Sequence, residues 1–163
     1  MEPLSRTEPG EWRIVEDLYH SLRRFAAVVA PTDLEPDDLL QEALVSVLRK
    51  HSLSDLDHPA AYLRKTILNA ALAHNRGRGR WRKAVTAYAS STAGSNSPTY
   101  PSDLAELLRL PPRERAALYL HEVEGYRFSE IGPMIGCSEG AARKASCRGR
   151  EHLGLALRSE VTP

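Results

Sequence analysis

The chain has 163 residues, of which 42% are apolar, so it can bury one modest core or two small ones rather than the core of a large enzyme domain. The formal net charge is only +1, so attraction to nucleic acid would have to come from local clusters of cations. Cys137 and Cys147 show no metal-ligand spacing, which argues against a disulfide scaffold or a zinc site. The longest apolar run, Phe25 to Ala30, is too short for a membrane span, so we expect a soluble, cytoplasmic protein that does not contact a membrane.

The first two predicted helices carry apolar residues at helical spacing. The first ends before Pro31, and the second runs from near Glu35 to about Lys50. In the second, Pro36 suits the first helical position, and Asp37 and Asp38 lie near the positive end of the helix dipole. The residues predicted to face the core are Ile14, Leu18, Leu22, Phe25 and Val29, followed by Leu39, Leu40, Ala43, Leu44, Val47 and Leu48.

A third helix is predicted to open at Pro59 and to end at Gly77 and Gly79. The stretch from Ala84 to Ser102 then contains no charged residue and is rich in Ser, Thr, Ala, Gly and Pro. We interpret it as a flexible linker, spanning on the order of 25 Å as a random coil. The sequence therefore predicts a first domain at residues 1–83, a linker at 84–102 and a second domain at 103–163.

The second half contains further helical patterns and no strand-like alternation. The helices are expected over "SDLAELLRL", from Pro112 to about Val123, from near Ser129 to Ile135, and from Ser138 onward. The predicted fold class is all-α, with two small helical domains joined by a flexible linker. The second domain contains a helix-turn-helix.

The helix-turn-helix is predicted from a three-residue turn, "GCS", between the last two helices. Gly136 can adopt the left-handed conformation that ends one helix, and Ser138 can cap the next by accepting a hydrogen bond from an early amide. The second of these helices then presents four cations that suit base edges and phosphates of a DNA major groove. They are Arg143, Lys144, Arg148 and Arg150.

The third helix carries a second cluster of positive charge. From Arg64 to Lys83 there are seven cations and no Asp or Glu. One stripe of this helix combines an aromatic ring, hydrogen-bonding groups and a cation, which suits stacking on an unpaired base and attraction to its backbone. The stripe consists of Tyr62, Thr66, Asn69, Ala73 and Arg76. A merely solvated helix face is the alternative for this cluster.

Together these segments resemble a small, two-domain sigma factor of the extracytoplasmic-function type. "DDLLQEALVSVLRK" is similar to the polymerase-binding helix of that family, and "HPAAYLRKTILNAALAHNRGRGR" to its promoter-melting helix and basic tail. "LPPRERAALYLHEVEGYRFSEIGPMIGCSEGAARKASCRGREHL" is similar to its reader of the minus-thirty-five element. The resemblance implies a protein that binds core RNA polymerase and directs promoter recognition and transcription initiation.

The resemblance also assigns roles to individual residues. It implies polymerase binding by Asp38, Leu39, Gln41 and Glu42. It implies contacts to the melted minus-ten DNA by Tyr62, Arg64, Lys65, Asn69, Arg76, Arg78 and Arg80. It implies minus-thirty-five contacts by Ser138, Glu139, Arg143, Lys144, Arg148 and Arg150. Core polymerase and promoter DNA are the expected partners, an anti-sigma factor is a further candidate, and no catalytic residue, metal or cofactor is expected.

Several positions depart from the family pattern. Tyr62, Leu68 and Ala73 stand where Trp, Arg and Asp are common. Gly132 and Pro133 occupy the first helix of the helix-turn-helix, which is therefore expected to start late or to kink. Ala145 and Ser146 replace a typical Arg and Leu, so the recognition helix is expected to pack less firmly and to carry one cation fewer.

Two other functions fit parts of the sequence. A helix-turn-helix regulator that binds DNA by itself would explain the recognition helix, but it leaves the polar face at Asp38 and Glu42 without a role. An enzyme with a hard-metal site at Glu35, Asp37, Asp38 and Glu42 is the other. The helix dipole explains those acidic residues more simply, and the chain shows neither a phosphate-binding loop nor paired histidine ligands.

Overall fold

The computed structural model describes residues 9–86 and 102–160, with the backbone alone at residues 81–86, 102–105 and 155–160. The described chain is helical throughout and contains no strand, which confirms the predicted all-α class. None of the described helices combines the length and the apolar character needed to cross a membrane. The elements are α1 (Pro9–Val29), α2 (Pro36–Leu48), a 3-10 helix (Leu53–Asp55), α3 (Pro59–Thr86), α4 (Ser102–Arg109), α5 (Pro112–Glu122), α6 (Phe128–Ile135) and α7 (Glu139–Glu160).

Helices α1 to α3 form an N-terminal unit around the apolar stripes predicted from the sequence. The connection between α2 and α3 is held down by the buried Leu53 and by Glu11 of α1, whose carboxylate accepts a hydrogen bond from the Leu53 amide at 3.1 Å. The core of this unit is formed mainly by Leu22, Phe25, Val29, Leu39, Leu40, Ala43, Leu63, Ile67, Leu68 and Ala71.

Helices α4 to α7 form a C-terminal unit with smaller core residues. Its buried residues in the main apolar core are Ala116, Ala117, Leu120, Ile131, Met134, Ile135 and Ala142. In α7 the buried positions recur at 3–4 spacing as Ala142, Ser146 and Gly149. Because these side chains are small or absent, α7 lies close to α5, and a Cβ atom at Gly149 would be 3.3 Å from the carbonyl oxygen of Glu114.

The two units pack against each other and share one continuous apolar core. Helix α1 contacts α5, and α3 contacts α6. Two buried arginines lie at this junction. Arg115 of α5 is 3% exposed and donates a long hydrogen bond of 3.5 Å to the carbonyl oxygen of Val29, at the end of α1. Arg64 of α3 lies against Tyr126, with 5.4 Å between the guanidinium carbon and the ring centroid.

The predicted end of the third helix is wrong, because α3 continues through Gly77 and Gly79 to Thr86. Neither glycine adopts a left-handed conformation. An exposed glycine lowers helix stability by only about 1 kcal/mol relative to alanine. Arg78, between the two glycines, donates a hydrogen bond of 2.8 Å to Asp33, and this contact fastens that turn to the loop before α2.

The first helix of the helix-turn-helix does not start late. It begins at Phe128, so Pro133 is its sixth residue rather than part of the first turn. The amides of Glu130 and Ile131 both bond to the Arg127 carbonyl at 2.9 Å, and the Glu130 carboxylate accepts a bond from the Arg127 amide. The helix thus has a well-bonded first turn before Pro133, which cannot donate an internal hydrogen bond.

The predicted division into domains at residues 1–83 and 103–163 stays a prediction. Residues 87–101 of the expected linker lie outside the described residues. The flanking helices end at Thr86 and begin at Ser102.

Candidate functional site

The exposed face of α2 contains three of the four residues predicted to bind polymerase. Asp38, Gln41 and Glu42 are exposed and lie beside Val45, whose side chain is 43% exposed. These four residues line one shallow groove of about 500 Å³. Ser46, Arg49 and Lys50 line the C-terminal end of the same groove. Its other end combines carboxylates, an amide and an apolar contact, which suit docking to basic groups of a protein partner.

Leu39 has to be removed from this surface. Its side chain is 0% exposed and packs in the core of the N-terminal unit. Helical geometry explains the correction, because Leu39 lies on the same side of α2 as Ala43 and Val47 and not beside Asp38 and Gln41. Val45 is the residue that sequence reasoning missed. The sequence feature that could have identified Val45 as exposed is its position four residues after Gln41, outside the buried stripe.

The acidic residues at the start of α2 do not form a shared metal site. Asp37 accepts hydrogen bonds from Arg23 at 2.8 and 3.2 Å. The hydrogen bond and positive charge of Arg23 lower the pKa of the Asp37 carboxyl. Among the described residues, no group of three His, Cys, Asp or Glu side chains converges as metal ligands. Asp37 therefore joins α1 to α2, and its role is structural.

The polar stripe of α3 lines a cleft between α3 and α2. Tyr62, Thr66 and Asn69 form one wall of this cleft, which has a volume of about 320 Å³. Tyr62 is held edge-on against His51, with 5.4 Å between the ring centroids. Thr66 donates its hydroxyl hydrogen to the Tyr62 carbonyl at 3.0 Å. An aromatic ring and an amide thus meet in a recess that an unpaired base could enter.

The cations of α3 whose side chains the structure describes fall into three groups. Lys65, Arg76 and Arg80 are exposed, and Arg78 is paired with Asp33. Arg64 is 2% exposed, its Nε atom has no hydrogen-bond partner, and its guanidinium lies against Tyr126 of the C-terminal unit. In this arrangement of the two units, Arg64 cannot reach DNA. The prediction placed it there because the sequence does not show that α6 covers this side of α3.

The turn of the helix-turn-helix has the predicted geometry. Gly136 adopts φ 70° and ψ 40°, and the Ser138 hydroxyl accepts a hydrogen bond from the Ala141 amide at 3.2 Å. Gly132, a departure from the family pattern, also has a physical reason, since a Cβ atom there would be 2.7 Å from the carbonyl oxygen of Cys137. The Gly132 carbonyl itself accepts the amides of Gly136 and Cys137.

The recognition helix α7 exposes every residue predicted for minus-thirty-five DNA. Arg143 pairs with Glu139 at 3.0 Å, and Arg150 pairs with Glu122 of α5. Lys144 and Arg148 have no carboxylate within ion-pair distance among the described residues. All six predicted residues are exposed, namely Ser138, Glu139, Arg143, Lys144, Arg148 and Arg150.

The core side of α7 reflects the departures noted in the sequence. Ser146 is buried and its hydroxyl has no hydrogen-bond partner.

The two cysteines are free thiols, with Cys137 half-buried in the turn and Cys147 exposed. Burial raises the pKa of the Cys137 thiol, which disfavours the reactive thiolate. The structure therefore does not give Cys137 the surroundings of a redox sensor.

The helical fold and the helix-turn-helix with its exposed cations define the C-terminal unit as a DNA-binding module. Residues 104–153 match the family model for sigma-70, region 4. The chain is 33% identical to the RNA polymerase sigma factor CarQ of Myxococcus xanthus over 92% of both proteins. It is 27% identical to the ECF RNA polymerase sigma factor SigM of Mycobacterium tuberculosis, over 85% of this chain and 72% of that protein.

A solved structure with the same fold is that of the sigma factor RpoE from Bartonella quintana, in complex with the anti-sigma factor NepR. The superposition has a TM-score of 0.68 at 21% identity and covers 90% of this chain and 96% of the other. The chain belongs to the RNA polymerase sigma factors of the extracytoplasmic-function type. Its function is accordingly promoter recognition and transcription initiation with core RNA polymerase, which the comparisons favour over a stand-alone regulator.

Proposed function

We propose that this sigma factor divides its work among three surfaces. The exposed face of α2 at Asp38, Gln41, Glu42 and Val45 binds core polymerase. The α2–α3 cleft at Tyr62 and Asn69, with the exposed cations of α3, holds the separated minus-ten strand. The outer face of α7 contacts the minus-thirty-five element.

One observation carries this assignment: the polymerase surface and the α2–α3 cleft share an edge. Glu42, Ser46 and Lys50 line both the groove on α2 and the cleft beside it. A polymerase docked on α2 would therefore lie directly beside the melted strand. The shared edge also has a basic residue, Lys50, on the side where a phosphate backbone would pass.

The polymerase surface has the composition of an interface rather than of an ordinary solvated helix. Val45 exposes an apolar side chain between polar neighbours, and Asp38 has no polar partner among the described residues. The Glu42 carboxylate accepts a hydrogen bond from the His74 imidazole of α3 at 2.9 Å, and this bond orients the Glu42 side chain. An apolar centre flanked by one oriented and one free carboxylate provides both desolvation and charge complementarity for a basic partner.

Several further assignments belong to this proposal. The N-terminal unit acts as the polymerase and minus-ten domain, and the C-terminal unit as the minus-thirty-five domain. We propose that the protein has no catalytic activity and works in the cytoplasm, where polymerase and promoter DNA are found. The fold shared with RpoE in its complex with NepR supports an anti-sigma factor as a regulatory partner.

Charge reversal on α2 tests the proposal. The double variant Asp38→Lys and Glu42→Lys should bind core polymerase at least about 100-fold more weakly, since like charges across a docked surface weaken it by several kcal/mol. Co-purification and a titration with labelled core enzyme would measure this. The matched control is Glu16→Lys with Asp17→Lys, the same charge change on the exposed side of α1.

Both double variants should keep the helical circular dichroism of the parent. Normal polymerase binding by a folded α2 variant would contradict the docking assignment. Equal weakening by the α1 control would show that net charge, rather than this surface, governs binding.

A further inference from the structure

The guanidinium of Arg143 is held in place by two neighbours in the helix-turn-helix, Glu139 and Phe128. The Glu139 carboxylate, one turn earlier on α7, accepts a hydrogen bond from it at 3.0 Å. The ring of Phe128, the first residue of α6, lies on one side with 5.2 Å between the guanidinium carbon and the ring centroid. This distance is within the range of a cation–π contact.

The Phe128 ring also contacts a second aromatic side chain, that of His121. The imidazole of His121 stacks on the Phe128 ring, with 4.2 Å between the centroids and 24° between the planes. His121 donates its Nδ1 hydrogen to the carbonyl oxygen of Tyr126 at 2.9 Å. Contacts of His121 and Arg143 with the same phenyl ring therefore link the backbone of the α5–α6 connection to the surface of α7.

This stack distinguishes Arg143 from the other exposed cations of α7. Lys144 and Arg148 make no ion pair with a described residue, and Arg150 is paired toward α5. Arg143 is restrained by an aromatic face and a carboxylate, yet its side chain remains 60% exposed. A guanidinium that is oriented before binding loses less conformational freedom when it makes a bidentate contact with a base edge.

We propose that Phe128, backed by His121, and Glu139 are positioning residues that make Arg143 the base-discriminating cation of the recognition helix. Lys144 and Arg148 contact phosphates and contribute affinity without discrimination. This inference rests on the proposed minus-thirty-five role of α7. It adds that specificity depends on Phe128 and His121, which are not among the residues predicted to touch DNA.

The test uses the full chain with core polymerase and transcription from a promoter library randomised across the minus-thirty-five element. Arg143→Ala should flatten the preference at one base position. Phe128→Leu, which keeps an apolar side chain but removes the ring, should lower discrimination at that same position by about two- to fivefold, the ratio that corresponds to an exposed cation–π contact. Phe128→Tyr, which keeps the ring, should retain the parental profile.

Two additional variants separate positioning from packing. In the Arg143→Ala background, Phe128→Leu should have no further effect on base preference, because the group that it positions is gone. Glu139→Gln should keep the fold and relax the same base position. It serves as the test on a surface residue if Phe128→Leu lowers the melting temperature strongly.

The outcomes that contradict the inference are specific. The positioning role of Phe128 and Glu139 would be overturned if Phe128→Leu and Glu139→Gln both keep the parental base profile while Arg143→Ala flattens it. The DNA-contact role of α7 would then remain. An even loss at all positions for Phe128→Leu would show that the ring only packs the domain. A parental profile for Arg143→Ala would overturn the reading role of Arg143 itself, and the positioning inference with it.

Discussion

Helices α3 and α7 are both long and rich in cations, but they present those cations differently. Helix α3 packs against α1, α2, α5 and α6, so that core covers more than one of its sides. Arg64 lies on a covered side and is buried. Helix α7 packs mainly against α5 and α6 of its own unit, through small residues. Its predicted DNA-contacting residues all remain outside. The helices that pack against a given helix, more than the number of cations it carries, therefore decide which of its charges are available to DNA.

The tight backbone approach in the helix-turn-helix gives the largest expected effect. Gly132→Ala places a Cβ atom 2.7 Å from a carbonyl oxygen, and overpacking of this kind lowers stability by about 1–3 kcal/mol. Gly77→Ala in α3 has open space around it and should raise stability by up to about 1 kcal/mol. Urea unfolding of both variants measures the contrast. Equal effects would contradict the close packing.

The buried cations at the junction of the units give the next effect. Burial lowers the pKa of Arg115 to about 10, so its charged form destabilises the folded state. Arg115→Met should raise the free energy of unfolding by about 1–2 kcal/mol. Since the folded pKa lies below the unfolded one, the penalty is complete below pH 10, and the gain should shrink as the pH rises above 10.

Urea titrations of Arg115→Met and the parent at neutral pH and above pH 10 would measure this gain. A variant less stable than the parent would mean that the contact between Arg115 and the Val29 carbonyl outweighs the loss of hydration.

The exposed cations of α7 differ in whether they are paired with a carboxylate, and the salt dependence of DNA binding can distinguish them. The double variant Lys144→Ala with Arg148→Ala should weaken holoenzyme binding to promoter DNA and lower the slope of log affinity against log salt by about two, one for each phosphate contact. Arg150→Ala should change the slope less, because Arg150 is paired with Glu122. Fluorescence anisotropy at several salt concentrations provides the slopes. A larger change for Arg150→Ala would reverse the assignment.

The smallest effect concerns the exposed pair between Arg23 and Asp37. Asp37→Asn should lower stability slightly at neutral pH. Because Arg23 lowers the pKa of Asp37 below 3.8, the stabilisation is present above that value and is lost as the pH falls through the folded pKa. Asp38→Asn, in the same turn but without such a partner, is the matched control. Thermal melts between pH 2 and 7 should show that the stability difference between the parent and the Asp37 variant disappears at low pH, whereas the Asp38 variant should show no such trend.

The sequence alone predicted much of the candidate site, because local rules decide much of it. The turn at Gly136 and Ser138 follows from glycine conformation and capping, and the exposure of Asp38 and Gln41 follows from helical periodicity. The errors share another cause. Arg64 was predicted to contact DNA because the sequence does not show that α6, a distant segment, covers it. Gly77 was predicted to end a helix because the contact between Arg78 and Asp33, which also joins distant segments, is not visible in the sequence either.

The sequence by itself determined the all-α fold, the order of the helices and the family of the protein, since periodicity, caps and motifs are properties of short segments. Only the tertiary structure decided which cations are free, which are paired and which are buried. It also brought Phe128 and His121 against Arg143. The physical reason is that burial and side-chain stacking depend on which helices become neighbours, and that arrangement is set by the packing of the whole core.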